Sequence, residues 1–203
     1  MYKPNVYQWT DREEIYSLID TYPFAILCSQ VNGQMDASHL PLALDRERGQ
    51  LLGHFARNNP HWQALDHQNA LVIFQGPHSY ISPDWYETNL AVPTWNYVTV
   101  HIHGTVHLIQ DDKAVCDTLL AYQRAFTHRA ITDEQAALIA SMSHGVVGFT
   151  LQIERIEAVQ KLNQKHSIER RKQTIAHLKE QKDENARKIA ELMQQTLDAS
   201  DNH

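Results

Sequence analysis

NYVTVHIHGTVHLI, residues Asn96 to Ile109, alternates along almost its whole length. Val98, Val100, Ile102, Gly104, Val106 and Leu108 take one side; Tyr97, Thr99, His101, His103, Thr105 and His107 take the other. A period of two is that of a β-strand, whose successive side chains point to opposite faces. One face is therefore expected to join a core, and the other to be polar and rich in histidine. ALVIFQG, Ala70 to Gly76, is apolar without alternation and reads as a central strand.

Working outward, Phe24 to Ser29 is a strand closed by Asn32-Gly33, a pair that favours the positive φ of a tight hairpin turn. Met35 to Leu44 returns beside it, with Pro41 marking an edge or bulge. Arg48-Gly49 turns the chain into a third strand, Gln50 to Ala56, and Val146 to Ile153 alternates with Val147, Phe149, Leu151 and Ile153 inward. Helix starts are punctuated. Thr10 is placed to cap Asp11 to Ile19, a short helix is expected over Pro60 to Asp66, and Ser82-Pro83 opens one turn ending at Glu87. Asp111 and Asp112 start a helix running to about Thr127, and Thr132 caps another to about Met142.

From His166 onward Glu, Lys, Arg, Gln and Ala dominate, with Ile168, Ile175, Leu178, Ile189 and Leu192 at helical spacings and a break near Lys182-Asp183. The apolar stripe lapses at Lys182 and Asn185, so packing on the rest of the chain or on a partner subunit is expected rather than a coiled coil. Ala199 to His203 are expected to fray.

A length of 203 residues suits one domain with an extension. The 42% hydrophobic and 21% charged content is that of a soluble globular protein rather than a disordered chain. No apolar run is long enough to span a bilayer and the first residues lack a secretory core, so no membrane is expected and the cytoplasm is the expected location. A net charge of −6 argues against broad attraction to nucleic acid, while leaving room for a local basic patch. Cys28 and Cys116 belong to no metal or disulfide spacing and read as buried small hydrophobes.

GHFARNNPHW, Gly53 to Trp62, combines three devices for holding an anion. Arg57 offers a planar fork, Asn59 can cap the next helix, and Pro60 fits its first position, which would aim N–H groups and the positive helix end at one point. An ordinary capped surface helix beside a solvated arginine has the same spacing. Aromatic and amide residues cluster in QGPHSYISPDWY (Gln75 to Tyr86) and VPTWNY (Val92 to Tyr97). Tyr80, Trp85 and Trp95 offer flat surface, and Gln75, Ser82, Thr94 and Asn96 directional hydrogen bonds, as a planar heterocycle or an aromatic core corner would require. KLNQK, Lys161 to Lys165, could close over a phosphate or simply connect a strand to a helix. His54, His61, His78, His101, His103 and His107 lie at no recurrent ligand spacing, so no metal is expected. No P-loop, GxGxxG or GxSxG is present.

In this order, GHFARNNPHW, LVIFQGPHSYISPDWY, VPTWNYVTVHIHG and KLNQK resemble the PaiB family of FMN-binding negative transcriptional regulators. The likeness includes the opening MYKP and SHLPL (Ser38 to Leu42), and runs to about Met193. It implies a mainly β fold, a split β-barrel like that of pyridoxine 5′-phosphate oxidase, with peripheral helices and a helical C-terminal extension. It also implies a homodimer with FMN at the subunit interface. Residues 1–165 would form the flavin-binding domain and 166–203 the extension. By the resemblance Arg57, with His54, Ala56, Asn59 and Trp62, takes the phosphate side. Gln75, Trp95 and Asn96 take the ring or ribityl chain, and Lys161 and Gln164 reach in from the C-terminal side. The family's last motif reads closer to KLSQN, whereas this chain has Asn163 and Lys165, a departure that bears on any contact from position 165. The family reading implies repression of genes such as those for protease production and sporulation. No helix-turn-helix is legible, and Glu169-Arg170-Arg171-Lys172 reads as a solvated helix face, so direct DNA binding has no support in the sequence itself. Two other readings are a flavin-dependent oxidoreductase on a small substrate and a haem-binding split barrel, the histidines being the candidate ligands. No catalytic residue is assigned.

Overall fold

The computed structural model describes residues 1–31, 33–86, 91–127 and 130–200. In chain order it holds β1 (Gln8–Trp9), α1 (Arg12–Thr21), β2 (Phe24–Val31), β3 (Gln34–Pro41), β4 (Ala43–Asp45), β5 (Gln50–Ala56), β6 (Asn69–Ile81) and β7 (Thr94–Ile109). There follow α2 (Asp112–Phe126), α3 (Asp133–Met142), β8 (Val146–Lys161), α4 (Ile168–Glu180) and α5 (Glu184–Ser200). Short 3-10 turns lie at Asn5–Tyr7, Pro60–Ala64, Pro83–Trp85 and Ser143–Gly145. The chain groups into two units. Arg12–Phe74 and Val100–Glu157 form the larger; Met1–Asp11, Gln75–Thr99 and Ala158–His203 form the smaller.

In the larger unit the sheet runs β3-β2-β6-β7-β8-β5-β4. Val31 stands opposite Gln34, so β2 and β3 are joined by a two-residue turn in which Gly33 has φ +80°; Asn32 lies outside the described residues. Where the sequence reads one strand from Met35 to Leu44, there are two. Pro41 has no N–H to continue the ladder, the Leu42 N–H turns to the Pro23 carbonyl, and Ala43–Asp45 pairs instead with β5. Gly49, at φ +63°, makes the turn into β5, whose limits are those read from the sequence.

The apolar face of β7 is buried from Val98 to Val106, while Leu108 is half-buried. With Leu27, Leu51, Phe55, Val72, Phe74, Phe149 and Leu151 these residues make the core. Burying each such side chain stabilises the fold by about 1.5–3 kcal/mol before conformational entropy is charged against it. Gly104 is required here, because a Cβ would sit 2.0 Å from the Gln152 carbonyl oxygen of β8. Cys28 and Cys116 are half-buried, so neither is the sealed core residue the sequence suggests.

Two strands outrun their sequence limits. β6 passes Gly76-Pro77 and continues to Ile81; its pairing with β2 covers Ala70 to Ile73, so the missing N–H of Pro77 interrupts no β2 ladder. β8 passes Ile153 because its charged residues are partnered in place. Glu157, only 7% exposed, accepts from Arg155 and meets His103, each at 3.0 Å. Two helix starts follow their caps: the Asp111 side chain accepts from Ala114 N, and Thr132 and Gln135 form a reciprocal capping box at α3, whereas α1 begins at Arg12 and so one residue later than a Thr10 cap would place it.

In the smaller unit β1 pairs with the end of β8, Gln8 opposite Val159 and Trp9 opposite Ala158. The 3-10 turn at Pro83–Trp85 is capped by Ser82, as read, with Glu87 outside the described residues. α4 and α5 pack on each other and bury Ile175, Leu178, Ala186, Ile189, Met193 and Leu197, whereas Leu192 is half-buried and Ile168 exposed. The break between them falls at Gln181 to Asp183, where Arg187 donates to the carbonyls of Gln181 and Lys182. The basic run of α4 is a solvated face only in part, since Glu169 and Lys172 are exposed but the two arginines are engaged. Arg171 is 6% exposed and donates to Thr196 Oγ1, and the Arg170 guanidinium lies 5.4 Å above the Tyr86 ring. Among the described residues no helix is long and apolar enough to cross a membrane.

Candidate functional site

In the larger unit β5 ends at Ala56 and delivers Arg57 to an exposed turn. The Arg57 N–H donates to the Gly145 carbonyl at 2.9 Å, Nε to the His144 carbonyl at 2.7 Å and Nη2 to the Val146 carbonyl at 2.7 Å. The Nε/Nη2 edge of the fork is thus fixed by the Ser143–Gly145 turn. The Nη1/Nη2 edge carries the unused donors, in the planar arrangement that suits a phosphate or carboxylate. Trp62 Nε1 donates to the Arg57 carbonyl at 3.0 Å and closes the loop.

Asn59 accepts from the His61 N–H at 3.0 Å and caps the turn that follows, with Pro60 at its first position. Its amide donates to Ser38 Oγ at 3.1 Å. His61 is buried between Ser29 Oγ and Ser38 Oγ, each 2.8 Å from a ring nitrogen, and its ring stands edge-on to Phe55. Burial holds the His61 pKa below the ordinary histidine value, against a weaker upward pull from Asp36, so the ring is neutral and can donate to one serine and accept from the other. The serine pair is not legible in the sequence, since Ser29 and Ser38 lie 32 and 23 residues from His61. The one signal was Ser38 inside SHLPL.

This geometry concentrates the anion-holding capacity on Arg57. Pro60 has no N–H, the His61 N–H is used by Asn59, and a five-residue 3-10 turn has little dipole to offer. His54, one turn of alternation before Ala56, stands edge-on to Tyr122 at 5.2 Å. Its Nδ1 is buried with no hydrogen-bond partner among the described residues, and burial lowers its pKa, so it too is a neutral ring. Ala56 is exposed beside Arg57.

In the smaller unit Gln75 is exposed, with its amide nitrogen 3.4 Å from His78 Nδ1. Trp95 is 53% exposed and stands against Tyr80 and His78, ring centroids 6.0 and 6.1 Å away. Asn96 is fully buried; its Nδ2 donates to Met193 Sδ at 3.4 Å and its Oδ1 has no partner among the described residues. Lys161 donates to Thr94 Oγ1, and burial pushes its pKa down. Gln164 folds back on its own loop, accepting from Leu162 N and donating to the Gln160 carbonyl. Asn163 explains one departure from the family motif. It sits at φ +62°, a conformation asparagine tolerates, and donates to Tyr86 Oη at 3.0 Å. Lys165 is turned to the Tyr7 ring, 5.6 Å away.

The histidines are spread among separate partners. His103 meets Glu157, His107 packs edge-on to His67 at 5.0 Å, and burial lowers the His101 pKa. Among the described residues no group of three or more His, Cys, Asp or Glu is set to hold a metal ion.

A family model described as "Putative FMN-binding domain" matches residues 1–155. The Bacillus subtilis (strain 168) protein "Protease synthase and sporulation protein PAI 2" is 33% identical over 204 residues, covering 97% of this chain and 98% of its own. This chain belongs to the PaiB family. FMN is the cofactor of the PaiB-family domain it carries. "Uncharacterized protein YKL070W" of Saccharomyces cerevisiae shares 42% identity over 87 residues, 39% of this chain and 52% of its own. Two solved structures share the fold. A FAD and heme binding protein from Mycobacterium smegmatis gives a TM-score of 0.56 at 20% identity, over 76% of this chain and 73% of its own. Rv2991 from Mycobacterium tuberculosis gives 0.58 at 13%, over 79% and 90%. The mainly β, split-barrel class expected for a PaiB-family chain is borne out by these fold likenesses.

Proposed function

We propose that this PaiB-family protein is a homodimer that binds FMN at its subunit interface and regulates gene expression. The observation that carries the flavin assignment is Arg57: its guanidinium is fixed along one edge by two backbone carbonyls and presents the other edge at an exposed turn. A cation held in place before its ligand arrives loses less entropy on binding, which favours a phosphate over loosely held alternatives. Asn59 and Trp62 hold the turn that carries Arg57, and His54 supplies an unpartnered ring nitrogen. Gln75, Trp95 and Asn96 are assigned to the ring or ribityl chain. Trp95 offers an open flat face, and Asn96 Oδ1 an acceptor without a donor. Lys161 adds a cation and Gln164 an amide from the C-terminal side. Residues 1–165 are assigned as the flavin-binding part and 166–203 as a helical extension packed on it or on the partner subunit.

FMN, when bound, supplies a centre that takes up and releases one or two electrons. The protein's own part is to fix the phosphate at Arg57, present polar atoms to the flavin, and limit water around it. The regulatory part of the reading rests on the full-length match to the Bacillus subtilis protein. Burial of Arg171 and the engagement of Arg170 leave Lys172 as the exposed cation of the basic run, so α4 offers little to a phosphate backbone. Purified protein reconstituted with FMN is expected to retain a visible flavin spectrum after gel filtration and to elute as a dimer; loss of the flavin would overturn the assignment. A gel shift at stated salt tests DNA contact, and no specific shift would place the regulatory action elsewhere. The spectrum also separates the haem reading, through a Soret band.

A further inference from the structure

A cavity of about 330 Å³ lies within the smaller unit, walled by Tyr80, Trp85 and Trp95 and bordered by His78, Gln181 and Asp183. That volume is at the lower end of the roughly 300–1,000 Å³ usual for small-molecule sites. Its walls are set at different angles. Tyr80 meets Trp95 at 69°, and Trp85 is held by His177, stacked on it at 5.4 Å and 16°. Asp183 supplies the negative charge, and among the described residues no lysine or arginine lines the cavity. The Asp183 Oδ1 accepts from the Asn185 N–H at 3.1 Å and caps α5, while Oδ2 makes no hydrogen bond among the described residues.

We propose that this cavity binds an organic ammonium cation, held between the faces of Trp85, Trp95 and Tyr80 and balanced by Asp183. The faces of aromatic rings carry negative charge density and attract a weakly hydrated cation, and attraction rises when the site also excludes water. An anion would meet the Asp183 carboxylate there, with no lysine or arginine among the described lining residues to offset it. A neutral heterocycle would use the rings but leave Asp183 without a counter-charge. The proposal goes beyond the flavin reading, with which it shares Trp95 alone.

The probes are choline and its uncharged carbon isostere neohexanol, titrated against the full chain with tryptophan fluorescence as readout, both without flavin and saturated with FMN. Choline is expected to give a saturable change in both states, and neohexanol to bind at least about tenfold more weakly. Asp183→Asn keeps the cap, because asparagine caps as well as aspartate, and should weaken choline about fivefold or more with FMN affinity unchanged. Trp85→Leu should weaken choline about tenfold. Equal binding of choline and neohexanol, or an unchanged affinity in Asp183→Asn, would overturn the proposal. So would displacement of choline by FMN, which would make the cavity the flavin's own. A failed flavin reading would instead show as no FMN uptake while choline still binds.

Discussion

Replacing Arg57 by alanine separates two roles that the structure gives one side chain. Its fold-supporting bonds are the two donations, at 2.7 Å each, to the carbonyls of His144 and Val146. Both lie at the surface, and water can take the arginine's place on those oxygens, so their loss is expected to cost only about 0.5–1 kcal/mol of stability in total. The proposed bond to phosphate is different. A charge-assisted hydrogen bond to the FMN phosphate contributes about 1.5–3 kcal/mol, so the affinity for FMN should fall roughly ten- to a hundredfold. Arg57→Lys keeps the charge but cannot form a fork held on one edge and open on the other, so it should lie between the two. Flavin-fluorescence titration at fixed salt gives the affinity, and urea unfolding of the same samples gives the stability. An alanine variant that remains folded and binds FMN as tightly as the parent would show that the anchor is elsewhere.

Other outcomes follow from the interior. His61→Phe should fill the site but leave Ser29 without its ring partner, at about 1–3 kcal/mol for that unpaired hydroxyl, while Ser38 keeps only its bond from the Asn59 amide; FMN binding should also weaken through the loosening of Asn59, and urea unfolding and flavin titration check both. Burial lowers the pKa of His54 and His61 from 6.5, so the unfolded chain takes up protons first. Their contribution is fully present above about pH 6.5 and is lost as pH falls through the depressed folded values, and a urea midpoint that stays flat from about pH 7 to about pH 5 would count against it. Gly104→Ala should destabilise by about 3 kcal/mol or more, because its Cβ would drive into the Gln152 carbonyl and the backbone of β7 and β8 would have to part; an unchanged melting temperature would refute that close approach. Asn163→Ser should cost about 1 kcal/mol or more through the lost bond to Tyr86 and the positive φ, read by the same melting curve.

The parts of the fold legible in the sequence were those governed by neighbours along the chain. Alternation placed the core face of β7, Asn-Gly placed the β2–β3 turn, and Ser82, Asp111 and Thr132 placed helix starts through bonds two or three residues long. Strand ends were less legible, because Gly76-Pro77 and the charges of β8 look like terminators until their partners are seen. Pro41 showed the reverse, ending a strand that the pattern continued. For the candidate site, the sequence led to Arg57 and Asn59 but could not show that one edge of the guanidinium is already engaged. Nor could it show His61 between two serines, the burial of Asn96 against Met193, or that of Arg171 beside Thr196. Each of these depends on residues brought together from 23 to 97 positions apart.

The central claim, that this chain is an FMN protein anchored through Arg57, is tested most directly by the phosphorus NMR spectrum of the reconstituted protein and of its Arg57→Ala variant. A phosphate resonance displaced from that of free FMN is expected in the parent, moving back toward the free position in the variant. A resonance identical in the two bound proteins would contradict it.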